Sequence, residues 1–99
     1  METKTEKKLE KTFKILSNTN RLKIISLLAK GKKEITVNEI AEKIKITQPA
    51  ASQHLKVLRT AELIKSDKKG NNIYYYINTQ HMIKQKENID QLFHNIINP

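Results

Sequence analysis

The segment Thr47-Gln48-Pro49-Ala50-Ala51-Ser52-Gln53-His54-Leu55-Lys56-Val57-Leu58-Arg59 opens on a helix-start signal, a capping side chain followed by a proline that the first turn tolerates. A helix over residues 48–61 advances about 100° per residue. That step sets Ala51, Leu55, Leu58 and Glu62 on one stripe and Pro49, Ser52, Gln53 and Lys56 on the opposite face, with Arg59 beside them. A face of hydroxyl, amide and ammonium groups with no bulky side chain fits a DNA major groove, where Gln pairs best with adenine and Lys with guanine or phosphate.

Working outward, Thr36-Val37-Asn38-Glu39 has the capping-box pattern and predicts a short helix burying Val37, Ile40, Ala41 and Ile44. Only Lys45-Ile46 separates it from Thr47, so two helices meet across a tight turn. Further upstream, Thr3–Leu16 reads as a helix with Leu9, Phe13 and Leu16 on one side and a fraying first turn. After the polar break Ser17–Asn20, a substantially buried helix is expected over Arg21–Lys30, with Leu22, Ile24, Ile25, Leu28 and Ala29 inward and Gly31 as its stop. Downstream of Leu63 the apolar period changes to two. Ile64–Ser66 and Ile73–Ile77 are expected to pair as a hairpin around Asp67-Lys68-Lys69-Gly70-Asn71-Asn72, with Gly and Asn at positive φ. Ile73, Tyr75 and Ile77 share one face, and Tyr74 and Tyr76 the other. Met82, Ile83, Ile89, Leu92, Phe93, Ile96 and Ile97 then recur at helical spacing in a final helix.

The chain has 99 residues, one domain with a small core, and no cysteine, which excludes disulfides and thiolate metal sites. Its net charge of +9 asks for a polyanionic partner, double-stranded DNA first. The positive surplus lies in residues 1–78, and residues 79–99 are neutral, which suits protein contact there instead of phosphate contact. No long apolar run and no signal-like start is present, so a cytoplasmic protein with no membrane association is expected. Glycine-rich phosphate loops and hydrolase motifs are missing, so no enzyme chemistry has a seat.

The order of elements is that of a winged helix-turn-helix domain: mainly α with a small β-hairpin, α-α-α-α-β-β-α. Leu16–Ile25, Glu39-Ile40-Ala41, Gln48–Arg59 and Lys69–Ile77 together resemble the ArsR-type (ArsR/SmtB) bacterial repressors over about residues 13–78. The linked Q-P-x-x-S-x-H-L-K-x-L and G-x-x-x-Y-Y segments carry the likeness. Asn18-Thr19 stands where that family usually has Asp-Pro, and Asn71 where its wing often carries Arg.

The resemblance implies a homodimeric repressor on a palindromic operator. The recognition helix would use Thr47, Gln48, Pro49, Ser52, Gln53, Lys56 and Arg59, and the wing at residues 64–77 would use Lys68, Lys69, Gly70, Asn71 and Asn72. Dimerisation would fall to helices at 1–16 and 79–97 through Leu9, Phe13, Met82, Ile89, Phe93 and Ile96, flanking a helix-turn-helix at 37–61. His54 reads as a half-buried structural residue. Arg21 either touches phosphate or braces its helix.

Many such repressors sense metals through a C-x-C before the recognition unit, and here Thr36 and Asn38 occupy those positions. The family's zinc site on the final helix maps onto Thr79, His81, Leu92 and Asn95, which retains one ligand of four. His94, thirteen residues beyond His81, lies about 220° around the helix from it. No metal or cofactor is expected, and the release signal is left to an unidentified inducer or a protein partner. Two other functions stand beside the repressor: a non-specific nucleoid-associated DNA binder, and a winged domain used for protein contact.

Overall fold

Two T-x-x-E segments open helices in this structure, a computed structural model describing residues 3–31 and 34–99. Thr3 and Glu6 form a capping box at the start of α1 (Lys4–Leu16), and Thr36 and Glu39 form another at the start of α3 (Val37–Ile44). The turn expected to fray at Thr3 is thus capped reciprocally; Met1 and Glu2 lie outside the described residues. Between these helices runs α2 (Thr19–Gly31), whose first turn Asn18 caps by accepting the Arg21 N–H at 3.0 Å. The polar break is therefore shorter than Ser17–Asn20. Helix α4 (Gln48–Thr60) begins at Thr47, whose hydroxyl accepts the Ala50 N–H at 3.3 Å.

Strands β2 (Ile64–Lys69) and β3 (Asn72–Ile77) pair antiparallel from Ile64 opposite Ile77 to Lys69 opposite Asn72. The connection is thus two residues, Gly70-Asn71, and not the six expected. Gly70 alone of the two takes positive φ, at 62°, which is the order of a type II′ loop; Asn71 does not share it. A third strand, β1 (Ile35–Thr36), stands outside the expected hairpin and pairs with β3 through Ile35 opposite Tyr75 and Thr36 opposite Tyr74. Two residues are too few to show a period. Helix α5 (Thr79–Ile97) closes the chain. No helix of the described residues is long and apolar enough to cross a membrane.

The core gathers Ile24, Leu28, Ile35, Ile40, Ala41, Ala51, Leu55, Leu58, Leu63 and Ile64, so every element from α2 to β2 contributes to one cluster. Helix α2 is buried on a narrower stripe than its composition suggests: Ile24 and Leu28 are inside, Ile25 is half-buried, Ala29 is exposed and Leu22 is 48% exposed. Val37 and Ile44 are half-buried against the core.

Helices α3 and α4 end alike. At α3, Lys45 turns left-handed at φ 60°, its N–H reaches the Glu42 carbonyl, and Ile46 N–H reaches that of Ala41. At α4, Glu62 turns left-handed at φ 63°, its N–H reaches the Arg59 carbonyl, and Leu63 N–H reaches that of Leu58. Both are Schellman motifs with a non-glycine residue in the position glycine usually fills. Glu62 is consequently exposed beyond the helix and does not extend the Ala51, Leu55, Leu58 stripe.

Candidate nucleic-acid interface

Ala51, Leu55 and Leu58 are fully buried, which fixes the rotation of α4 about its axis. At about 100° per residue, the opposite face is centred between Pro49, Gln53, Lys56 and Thr60. All four are exposed, as are Thr47 and Gln48 at the N-terminal end, where a recognition helix meets base edges. Ser52 lies at the margin and is half-buried, and His54, on the other margin, is half-buried as well. Arg59 is exposed on the flank toward the sheet, where its guanidinium donates to Ser66 Oγ on β2 at 3.3 Å. That bond links the recognition helix to the hairpin, and a period-two pattern does not mark Ser66 as a partner.

In the wing, Lys68, Lys69, Gly70, Asn71 and Asn72 are all exposed around the tip, with Lys68, Lys69 and Asn72 inside the strands. The two lysines differ. Lys69 Nζ lies 2.7 Å from Glu34 Oε2 and 5.7 Å from the centre of the Tyr74 ring. The hydrogen bond and charge of Glu34 raise the Lys69 pKa above the ordinary lysine value, so it remains a cation to still higher pH. Lys68 has no ion-pair partner among the described residues. Tyr76 has its pKa raised, first by burial and then by Asp67, and so stays a neutral phenol.

Arg21 is half-buried at the start of α2, with Nε withdrawn from solvent and without a hydrogen-bond partner. On the two terminal helices the apolar residues divide into two groups. Leu9 is 4% exposed and Met82 packs against the core, so both are largely spent within one chain. Ile89 is half-buried, while Phe13 is 44%, Phe93 55% and Ile96 62% exposed. Thr12 and Gln85, which the apolar spacing does not single out, are buried between these helices, with Thr12 Oγ1 2.7 Å from Gln85 Oε1. The available signal was a polar residue inside each apolar stripe, Thr12 between Leu9 and Leu16, and Gln85 between Met82 and Ile89.

The family's thiolate metal site does not fit the residues present. Thr36 and Asn38 offer neutral oxygens, and the Thr36 hydroxyl is already engaged with Glu39, 3.3 Å from its N–H and 3.0 Å from its carboxylate. Among the described residues no three His, Cys, Asp or Glu side chains come together as ligands.

A helix-turn-helix with an exposed polar recognition face, followed by a hairpin wing, defines a DNA-binding regulator of the winged helix-turn-helix class. Comparison narrows the class. The profile described as "Bacterial regulatory protein, arsR family" matches residues 18–66. The chain is 41% identical over 71 residues to the transcriptional repressor SdpR of Bacillus subtilis, covering 72% of this chain and 77% of that protein. It is 33% identical over 84 residues to an arsenical resistance operon repressor of Staphylococcus xylosus, covering 85% and 79%. An ArsR-like transcriptional regulator from Rhodococcus sp. RHA1 shares the fold, with a TM-score of 0.82 over 97% of this chain and 89% of that one at 22% identity. The chain belongs to the ArsR family of DNA-binding transcriptional regulators, which are not enzymes, and it lacks that family's usual metal ligands.

Proposed function

We propose that the chain acts as a homodimeric repressor, placing one α4 in each of two successive major grooves of a palindromic operator. The observation that carries this is the exposed face of Pro49, Gln53 and Lys56, set opposite the fully buried Ala51, Leu55 and Leu58, with Thr47 and Gln48 exposed at the helix start. Gln53 and Lys56 read bases, Ser52 and Arg59 flank them, and Lys68 with Asn71 and Asn72 meets backbone at the wing tip. The dimer forms through the exposed Phe13, Phe93 and Ile96. With no thiolate or paired imidazole site, release follows a non-metal inducer or a protein partner.

Selection of bound duplexes from a random DNA pool, followed by sequencing, tests this directly. A repressor enriches an inverted repeat with half-sites one helical turn apart, about 34 Å. A non-specific nucleoid binder would return the pool unchanged, and a domain used for protein contact would retain no DNA.

A further inference from the structure

A cavity of about 360 Å³ opens between α1, α5 and the C-terminal end of α4. Its floor is a hydrogen-bonded chain: Thr12 Oγ1 lies 2.7 Å from Gln85 Oε1, and Gln85 Nε2 lies 3.3 Å from His81 Nε2. Lys8 and Lys11 of α1 and Lys84 of α5 line its sides. Glu62, in the left-handed turn after α4, is the acid that faces them, 4.0 Å from His81 Nδ1.

The charges around this space do not balance. Elsewhere on the same helices, Glu10 pairs with Lys14 and Asp90 with Lys86. Lys8, Lys11 and Lys84 have no such partner among the described residues, although they converge on one cavity. Three ammonium groups and an imidazole against one carboxylate leave an excess of at least two positive charges. The volume is that of a small-metabolite site, with a few convergent polar groups around it.

We propose that this cavity is an effector site for a small di- or tricarboxylate. The ligand's carboxylates bridge Lys8, Lys11 and Lys84, and one of them accepts from His81 in place of Glu62. The exchange acts on a strained point. Glu62 is in the Schellman turn that ends the recognition helix, so displacing its carboxylate from His81 removes the side-chain contact between that turn and α5 and leaves the Asn78 amide, which donates to the Glu62 carbonyl at 2.9 Å, as the remaining side-chain tie. On α1 the Lys8/Lys11/Thr12 face lies more than about 90° from Phe13, and on α5 the His81/Lys84/Gln85 face lies about 120° from Phe93, while Ile96 shares the Gln85 side but about three turns further along the helix. The regulatory half of this proposal rests on the DNA binding proposed above.

The test is a titration of the full ¹⁵N-labelled chain with succinate, citrate and inorganic phosphate, at ionic strength held constant by sodium chloride. The reporters are the Gln85 side-chain amide and the His81 ring. Succinate or citrate moves both signals saturably, and phosphate binds about tenfold more weakly. Lys11→Gln with Lys84→Gln weakens the carboxylate about tenfold, and Glu62→Gln strengthens it by removing the competing acid. Signals that do not saturate, or that saturate equally in the double variant, overturn the site. Stronger binding of phosphate overturns the carboxylate assignment.

DNA release is read separately, by anisotropy of a labelled operator. Release by citrate from the parent chain, and not from the double variant, supports an effector role. Carboxylate binding without release overturns that role. A ligand-free chain that fails to bind the operator at all counts against the repressor, while the titration still decides the site.

Discussion

Thr12 and Gln85, separated by 73 positions in the chain, meet in a 2.7 Å hydrogen bond that ties α1 to α5. Both residues are buried, and Gln85 Oε1 depends on Thr12 for its partner, while Thr12 Oγ1 also lies 3.1 Å from the Lys8 carbonyl of its own helix. Thr12→Val alone should cost about 1–3 kcal/mol, because it leaves the buried Gln85 Oε1 unpaired, and Gln85→Met alone should cost less, because the Thr12 hydroxyl then donates to the Lys8 carbonyl. The double variant removes both polar groups and should cost clearly less than the sum. Equilibrium urea unfolding of the four proteins checks this, and strictly additive losses would show that the bond contributes nothing beyond packing.

Gln53 is on the middle of the exposed face of α4, away from the core. Gln53→Ala should therefore leave stability unchanged within about 0.5 kcal/mol. It should cost about 1–3 kcal/mol at the selected operator while leaving random duplex nearly unaffected. Equal losses on the two DNAs, measured at one salt concentration, would reassign Gln53 to phosphate contact.

The wing lysines should respond differently because Glu34 holds one of them. Lys68→Gln removes a cation with no ion-pair partner among the described residues and should make the salt dependence of DNA binding shallower by roughly one unit of slope. Glu34→Gln releases Lys69 and should strengthen binding to any duplex with a steeper slope. The Lys69 pKa is raised by Glu34, so what the pair adds to stability is present below the unfolded lysine value and fades only as pH rises through the raised one. Between pH 6 and 9 the Glu34→Gln effect on DNA should accordingly be flat, and a salt series repeated at both limits checks it.

Much of this architecture is legible in the sequence because its signals are local. Thr36 with Glu39, and Thr47 before Pro49, mark helix starts within four residues, and the spacing of Ala51, Leu55 and Leu58 fixes which side of α4 faces out. What escaped depends on long-range geometry. The strand Ile35–Thr36 exists only because Tyr75 and Tyr74 stand opposite it. Leu9 and Leu22 have the same chemistry, yet the first is 4% exposed and the second 48%. The pairing of Lys69 with Glu34, 35 residues away, likewise leaves no mark in the local sequence.

Lys45 holds a left-handed conformation with the short helix turn closed around it. A side chain there carries a conformational cost that glycine avoids, and the two backbone bonds of the turn remain available to glycine. Lys45→Gly should stabilise the fold by up to about 1 kcal/mol, whereas Lys45→Val, with a branched Cβ, should destabilise it by about 1–2 kcal/mol. Thermal unfolding followed by circular dichroism distinguishes them. A glycine variant less stable than the parent would mean that the lysine side chain supplies more than the turn costs.

Assembly offers the sharpest contrast between two residues that the sequence places in one class. Leu9 and Phe93 are both apolar residues on terminal helices, but Leu9 is 4% exposed and Phe93 55%. A charge at Leu9 must therefore enter the monomer's own interior, while a charge at Phe93 meets only solvent or a second chain. Burying a large apolar side chain against a partner is worth about 1.5–3 kcal/mol, and a symmetric interface uses it twice. Phe93→Asp should thus sediment as a monomer with its helical circular dichroism retained, and its operator affinity should fall toward that for random duplex, because one chain spans one half-site. Leu9→Asp should instead lose helical signal. If Phe93→Asp stays dimeric and folded, the partner does not sit on the Phe93 and Ile96 face, and the exposed Phe13 becomes the position to charge next.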